Sequence, residues 1–324
     1  MNRPPASASP LRTPAFLIVS APRSGSTLLA RMLNMHPRIR VPDETGFLLY
    51  AFGIDRRFQQ RICAFNHDQV FQDSEIPRRT IRFSSQAEFF EAFVRHYRGT
   101  NDLLIGEKTP AHWYFLPNVR EWLPETKIIF LVRDPVSVVS SCVANRISVF
   151  PLIRPPRFAD LHVLAPALVW RAAADAWRAV RDDPASMLVR YEDLVADPRT
   201  TLIRISNHLG VDFDPAMLEY HRRPPPHGGS IPGSDGSRHH RNVSRPLRDD
   251  RIGARDALSD AETDLVRFAL RNDQEEFGYA DSASEEPVDF ARKLATAERY
   301  FAACLAVYRV RERTKFLLTD LGIL

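Results

Sequence analysis

Cysteine is scarce in this sequence. The 324 residues include only Cys63, Cys142 and Cys304, which lie far apart along the chain. Three such residues provide neither a disulfide framework nor the close spacing of a metal cluster, and they are typical of a reducing compartment. We therefore expect a cytoplasmic protein in which all three cysteines are packing residues.

Long apolar runs are also missing. No uninterrupted apolar stretch approaches the ~18 residues that a membrane-spanning helix needs, so no transmembrane segment is predicted. The first 14 residues contain no apolar stretch. We interpret residues 1–14 as a disordered lead-in and not as a signal peptide.

Lysine is rare, although the chain is basic. Only four of its 44 basic residues are lysine, and the formal net charge is +4. Codon usage explains an arginine bias as well as function does, so this charge says little about partners. Nucleic-acid binding would predict a clustered basic stripe with interleaved aromatic residues. The arginines here are scattered, so we expect a small anionic ligand and no nucleic-acid partner.

The chain is organised around the stretch from Phe16 to Glu44. Phe16–Val19 is a short apolar run, which predicts a buried strand. The chain then turns through Pro22–Thr27 and enters an apolar-periodic segment, which predicts a helix that ends before Pro37. A strand, a glycine-containing turn and a helix start direct unpaired N–H groups and the positive helix end to one spot. The stretch therefore predicts an anion site.

This turn lacks the lysine of NTP-hydrolysing phosphate-binding loops. Such loops close on Gly-Lys-Ser/Thr, with the lysine on the phosphates and the hydroxyl on Mg²⁺. Here Arg23 comes early and no lysine follows Gly25. Asp134 is the candidate metal ligand at a strand end, but its place before Pro135 fits a helix cap at least as well. We expect phosphate binding without a metal, which disfavours a nucleotide kinase or NTPase.

Further strands alternate with helices along the chain. Apolar runs predict buried strands at Leu103–Ile105, Lys127–Val132 and Met187–Val189. Helical periodicity lies between and after them, as in Pro198–Leu209. This alternation predicts an α/β fold in which a P-loop-like parallel sheet is flanked by helices. We expect the proline-containing segment Phe150–Pro166 to be irregular, as a lid or an acceptor loop.

The chain divides into a main domain and an extension. We predict the α/β domain over residues 15–280 and a C-terminal helical extension over residues 281–324. Phe290, Leu294 and Ala297 lie on one helical face of the extension. We expect this face to pack on the domain, and a homodimer contact through the C-terminal helix is the alternative.

Three motifs together resemble the sulfotransferase superfamily. They are SAPRSGSTLL after the first strand, EKTP after the second and IFLVRDPVSVVSS at the third. The resemblance covers roughly residues 16–255 and is closest in style to the tyrosylprotein-type and bacterial enzymes. Family members use 3′-phosphoadenosine 5′-phosphosulfate as sulfuryl donor, so the resemblance implies this co-substrate and adenosine 3′,5′-bisphosphate as its product.

The resemblance implies two phosphate sites. The 3′-phosphate would be bound by Arg133 and Ser141. A strand-end arginine and a hydroxyl one or two helical turns later can converge on one phosphate, and arginine supplies a planar fork of donors. The 5′-phosphosulfate would be bound by the first motif, through Arg23, Ser24, Gly25, Ser26 and Thr27.

On the acceptor side, the resemblance assigns the general base to Glu44. An acceptor hydroxyl needs a positioned carboxylate to take its proton as the O–S bond forms. Asp43 is the second candidate, and either carboxylate can instead be a solvated turn residue. The tyrosylprotein enzymes place an arginine after the following threonine, where this chain has Gly46. That difference argues against a tyrosine peptide as acceptor.

Other positions match less closely. The resemblance places Lys108 near the bridging oxygen of the donor, where an ammonium can stabilise charge on the leaving phosphate. It places Tyr191 near the nucleotide, with simple packing as the alternative. The arginine-rich segment 238–255 is either a solvated surface or a clamp over the nucleotide. The residues that close over the nucleotide stay open between Ser237 and Ser244 for the hydroxyl, and between Arg245 and Arg255 for the cation.

The sequence therefore predicts an enzyme that sulfates an acceptor hydroxyl, with Glu44, Lys108 and Arg23 as catalytic residues. The acceptor is expected to be a small molecule, a natural product or a carbohydrate. Phenylalanines and arginines in residues 47–98 and 142–170 can line a pocket for a hydrophobic or phenolic acceptor, or belong to the core. A P-loop kinase or NTPase and a non-catalytic nucleotide-binding protein are the alternatives.

Overall fold

A parallel sheet forms the centre of the molecule. The computed structural model describes residues 13–46, 48, 65–66, 80–81, 86–99, 102–147, 156–227, 245–247, 255–279 and 285–320. Within these residues five parallel strands pair in the order β2-β5-β1-β6-β7, and β3 and β4 form a separate antiparallel pair. The strands are β1 (Phe16–Ser20), β2 (Ile39–Arg40), β3 (Phe65–Asn66), β4 (Thr80–Ile81), β5 (Leu104–Lys108), β6 (Lys127–Val132) and β7 (Ser186–Arg190).

Helices connect the strands and cover the sheet. Short 3₁₀ segments lie at Pro110–Asn118, Phe158–Asp160 and Pro215–Glu219. The α-helices are α1 (Ser26–Leu33), α2 (Gln86–Arg98), α3 (Val119–Trp122), α4 (Pro135–Ala144), α5 (Leu161–Arg178), α6 (Tyr191–Ala196), α7 (Pro198–Leu209), α8 (Asp260–Ala269), α9 (Arg271–Glu276) and α10 (Phe290–Asp320). The predicted α/β fold with a parallel sheet and a C-terminal helix is thereby confirmed.

Alternation along β1 shows that both faces of the sheet are covered. Leu17 and Val19 belong to one buried cluster, whereas Phe16 and Ile18 belong to a second one. Successive strand side chains point to opposite faces, so each face packs against its own layer of helices. Burial of each such side chain stabilises the fold by about 1.5–3 kcal/mol. Gly106 on β5 is required because a Cβ there would lie 2.3 Å from the ring of Phe16.

Two sequence predictions about element bounds are wrong. The second buried strand was expected at Leu103–Ile105, but it runs from Leu104 to Lys108 and so contains Glu107 and Lys108. Both charged side chains are buried and have polar partners, which an apolar pattern does not reveal. The segment expected to be irregular from Phe150 to Pro166 becomes helical at Leu161, and its residues 150–155 lie outside the described part.

Pro166 lies inside α5, where proline normally breaks a helix. It cannot donate the hydrogen bond that a helical N–H makes, and it crowds the preceding turn. The residues around it, Leu161, Val163, Leu164 and Ala167, are buried in the core. Tertiary burial of these side chains outweighs the local propensity.

The C-terminal helix α10 packs on the domain with its first half. Ala297 and Cys304 are buried, and the Phe290 ring meets the Phe268 ring of α8 edge-on with centroids 4.7 Å apart. Lys293 forms an ion pair with Asp160 at 2.8 Å. No helix among the described residues is long and apolar enough to cross a membrane.

Candidate functional site

The loop after β1 has the backbone of an anion site. Arg23 and Gly25 adopt positive φ angles of 70° and 98°, and Gly25 is followed at once by α1. No side chain caps α1, so the N–H groups of its first turn are available to a ligand. The Ser24 hydroxyl is buried and makes no hydrogen bond in this structure. A buried hydroxyl without a partner, beside an uncapped helix start, fits an anion such as a phosphate.

Gly25 also makes room for Tyr191. A Cβ at Gly25 would lie 2.5 Å from Cδ2 of the Tyr191 ring. The guanidinium of Arg133 lies over the same ring, 4.3 Å from its centroid. The structure thus places Tyr191, which is 8% exposed, beneath the loop and against a candidate phosphate ligand. In this position the ring supports both the loop and the Arg133 side chain.

Arg23, Arg133 and Ser141 converge where β1 and β6 end. Arg23 Nε donates to Ser141 Oγ at 3.1 Å, although the residues are 118 positions apart. Arg133 Nη1 donates to the carbonyl oxygen of Arg23 at 3.3 Å. Burial lowers the pKa of Arg23, and the neighbouring charge of Arg133 acts in the same direction. Two cations held this close are favoured by an anion between them.

The turn that carries Arg133 is fixed from three sides. Asp134 caps α4 by accepting from Ser137 N at 2.7 Å, with Pro135 in the first turn, as predicted. Trp170 Nε1 donates to the carbonyl oxygen of Arg133 at 2.9 Å. Glu192 Oε1 accepts from Asp134 N at 3.0 Å, and its Oε2 accepts from the Tyr279 hydroxyl at 2.6 Å. Because the Asp134 carboxylate accepts from the first turn of α4, it serves as the N-cap of that helix.

Lys108 and Glu44 form an ion pair at the end of β5. Lys108 Nζ lies 2.8 Å from Glu44 Oε1 and donates to Thr27 Oγ1 at 3.4 Å. The lysine side chain is 3% exposed, whereas that of Glu44 is 48% exposed. The candidate lysine therefore contacts both the loop hydroxyl and the candidate base. An acceptor can approach the carboxylate from the solvent side.

The segment that begins with Arg255 contacts α4 beside Ser141. Arg255 is exposed and begins the turn before α8. Two residues later, Ala257 N donates to Ser140 Oγ at 3.3 Å, next to Ser141. Arg245 is exposed, and its carbonyl oxygen accepts from the Tyr220 hydroxyl at 2.6 Å. Ser237 and Ser244 lie outside the described residues, as does most of the segment 238–255.

An apolar cavity adjoins the loop on the side of α4 and α5. Its lining includes two residues directly before Arg23 and one directly after Ser141. The lining residues are Ala21, Pro22, Val138, Cys142, Ile147, Pro166 and Val169. Its volume of about 10 Å³ is room for about one water molecule, so this cavity is too small to hold an acceptor.

Sequence reasoning missed the polar partners that support these residues. Glu107, His112 and Glu192 are examples, and each binds a segment that carries a candidate site residue. Period-two alternation offered a signal for Glu107, because neighbours in a strand point to opposite faces of a sheet that is covered on both. Across the described residues, no group of three or more His, Cys, Asp or Glu side chains is arranged to hold a metal ion.

Known proteins resemble the chain over the same region. A sequence model described as the sulfotransferase family matches residues 14–215. The nodulation protein NoeE of Sinorhizobium fredii (strain NBRC 101917 / NGR234) is 32% identical over 236 residues, covering 65% of this chain and 53% of NoeE. Protein-tyrosine sulfotransferase A of Caenorhabditis elegans is 23% identical over 215 residues, covering 64% and 53%. The chain therefore spans about half the length of these curated relatives.

Solved structures share the fold. The sulfotransferase domain from the Synechococcus PCC 7002 olefin synthase superposes with a TM-score of 0.57 at 22% identity, covering 87% of this chain and 99% of that domain. The sulfotransferase domain from the curacin biosynthetic pathway gives a TM-score of 0.55 at 20% identity, covering 81% and 98%. Because both identities are below 25%, the likeness establishes the fold alone.

Proposed function

This chain belongs to the sulfotransferase family, and we propose that it transfers the sulfuryl group of 3′-phosphoadenosine 5′-phosphosulfate to an acceptor hydroxyl. One observation carries the proposal. The ends of β1, β5 and β6 bring the uncapped α1, the Arg23–Arg133–Ser141 cluster and the Lys108–Glu44 pair to a single edge of the sheet. That edge combines two sets of anion ligands with a carboxylate.

Each of the two anion sites would bind a different phosphate group of the donor. The loop from Arg23 to Thr27 and the start of α1 would hold the 5′-phosphosulfate, and the buried Ser24 hydroxyl would gain a partner there. Arg133 and Ser141 would hold the 3′-phosphate. Tyr191 supports this arrangement from beneath, and Arg255 is proposed to approach from the turn before α8.

The transfer needs a general base for the acceptor hydroxyl and cationic groups that stabilise negative charge on the leaving phosphate. The donor supplies the sulfuryl group and leaves as adenosine 3′,5′-bisphosphate. Glu44 takes the proton of the acceptor hydroxyl as its oxygen forms a bond to sulfur. Lys108, Arg23 and the N–H groups of α1 stabilise the negative charge that develops on the leaving phosphate. Positioning and electrostatics supply the rate enhancement, so no metal is required.

For the acceptor we propose a small molecule, a natural product or a carbohydrate. It would approach Glu44, whose side chain is 48% exposed, from the solvent side. The cytoplasmic location and the homodimer contact stay predictions.

A transfer assay tests the proposal. Purified protein is incubated with donor labelled in the sulfuryl group and a panel of phenols, aliphatic alcohols and sugars, with and without a metal chelator. We expect label to pass to at least one of these acceptors, at the same rate with and without the chelator. Turnover of ATP that depends on Mg²⁺ would indicate a kinase or NTPase instead. Tight binding of the bisphosphate with no transfer to any acceptor would indicate a nucleotide-binding protein.

A further inference from the structure

A fully buried carboxylate lies directly before Lys108. Glu107 is 0% exposed, and its Oε1 accepts from Thr45 Oγ1 at 2.8 Å and from Thr109 Oγ1 at 2.7 Å. Its Oε2 lies 2.7 Å from His112 Nδ1. A buried carboxylate is costly unless it is paired or hydrogen-bonded, and here three polar groups face it.

The same groups fasten the segment that follows Glu44. Gly46 N donates to Thr109 Oγ1 at 3.1 Å, and Leu48 N donates to His112 Nε2 at 3.3 Å. The His112 ring thus lies between Leu48 N on its Nε2 side and Glu107 Oε2 on its Nδ1 side. Residues 45, 46 and 48 are therefore all held against the end of β5.

Two neighbouring residues of β5 hold the Glu44 segment from opposite faces of the sheet. Glu107 and Lys108 are neighbours on β5 and point to opposite faces of the sheet. Glu107 binds Thr45, and Lys108 binds the adjacent Glu44. Two consecutive residues of one strand thus hold two consecutive residues of another segment.

We propose that Glu107, acting through Thr45, is a positioning residue that sets the Glu44 carboxylate against Lys108 for proton transfer. This inference rests on the proposed function. Glu107 does not reach the reacting atoms, because it is buried on the opposite face from Lys108. A charge-assisted hydrogen bond is about twice as strong as a neutral one, so a carboxylate holds Thr45 more firmly than an amide would. Displacement of a catalytic group by ~1 Å can cost about 100-fold in rate.

The variant Thr45→Val tests the inference with little change of shape. It removes the hydroxyl that joins the Glu44 segment to Glu107, and we expect kcat to fall about 10-fold. The KM for the donor and the Kd for the bisphosphate should stay within about twofold, because the loop and the Arg133 cluster are untouched. Thr45→Ser keeps the hydroxyl and should restore most of the rate.

Thr126→Val is the matched control. Thr126 is also 0% exposed, and its hydroxyl also donates at 2.8 Å, to the carbonyl oxygen of Pro14. It lies just before β6, at the edge of the sheet opposite the site. We expect Thr126→Val to lower stability, by less than Thr45→Val because its acceptor is a neutral carbonyl, and to leave kcat unchanged.

A double variant separates positioning from general damage. In the Glu44→Gln background there is no carboxylate left to position, so adding Thr45→Val should not lower the residual rate further. An additional 10-fold fall there, or a Thr45→Val enzyme whose kcat matches that of Thr126→Val, would overturn the positioning role alone. A wild-type protein that binds no bisphosphate and transfers no sulfuryl group would overturn the proposed function, and the positioning role with it.

Discussion

At the scale of single residues, the site is defined by two arginines that lie close together at the ends of β1 and β6. Arg133 donates to the carbonyl oxygen of Arg23, and Arg23 donates to the Ser141 hydroxyl. Burial lowers the pKa of Arg23, so the folded chain bears a cost for keeping it charged. A ligand with two phosphate groups would relieve that cost, and binding should therefore weaken at high salt.

Arg133→Ala should weaken binding of adenosine 3′,5′-bisphosphate. Loss of charge-assisted hydrogen bonds to a phosphate costs about 1.5–3 kcal/mol, so we expect Kd to rise roughly 10- to 100-fold in calorimetric titrations. Arg292→Ala is the control, because Arg292 is an exposed arginine of α10 that pairs with Asp289 at 2.7 Å. Equal affinity in the two variants would refute the assignment of Arg133 to a phosphate.

At the scale of elements, the strand ends matter most. β1 continues into the anion loop, β5 ends with Lys108, and β6 continues into the capped turn that carries Arg133. Because the three strands are parallel neighbours, their carboxyl ends meet at one edge. Ligands of open α/β sheets bind at this edge, which is why residues 118 positions apart can share a hydrogen bond.

The terminal helix α10 contributes to stability through its first half. Phe290 is half-buried against Phe268, whereas Val310 in the second half is 61% exposed. We expect Phe290→Ala to lower the free energy of unfolding by about 1–3 kcal/mol, because it removes packed aromatic surface. Val310→Ala should change it by less than about 0.5 kcal/mol. Urea unfolding of both variants checks this, and equal effects would show that α10 does not pack as described.

At the scale of the whole molecule, the buried Glu107 couples the site to the stability of the fold. Burial alone would raise the pKa of Glu107, but the His112 ring and the hydrogen bonds from His112, Thr109 and Thr45 outweigh burial and lower it. A carboxyl group with a lowered pKa stabilises the folded state above its ordinary pKa of 4.5. That contribution is lost as the pH falls below 4.5 towards the folded-state pKa.

This pH dependence can be measured with Glu107→Gln. At pH 7 the variant should unfold at a lower urea concentration than the wild type. The difference should shrink as the pH falls below about 4.5, because the wild-type carboxyl group becomes protonated and resembles the amide. A difference that stays constant from pH 7 down to acid would contradict a stabilising charge at Glu107.

More of the fold than of the candidate site could be predicted from the sequence. β6 has the predicted bounds because its apolar run is uninterrupted, and α7 because Asp197 caps its start and Gly210 ends it in the left-handed conformation. The bounds of β5 and α5 were missed because buried charged pairs and tertiary burial override the local pattern. The motif residues Arg23, Arg133 and Ser141 lie together, as the rule on strand ends suggests. Alternation along β5 is a signal for the burial of Glu107, but Thr45 and the Glu192 partner Tyr279 lie far along the chain, so no local pattern identifies them.

The most direct test of the account is sulfuryl transfer by Glu44→Gln, with Asp43→Asn as the paired variant. We expect Glu44→Gln to lower kcat by about 10²- to 10⁴-fold, because a general base is removed, and to leave the bisphosphate Kd within about twofold. Asp43→Asn should retain most of the wild-type rate. Wild-type turnover by Glu44→Gln, or loss of turnover in Asp43→Asn alone, would contradict the account.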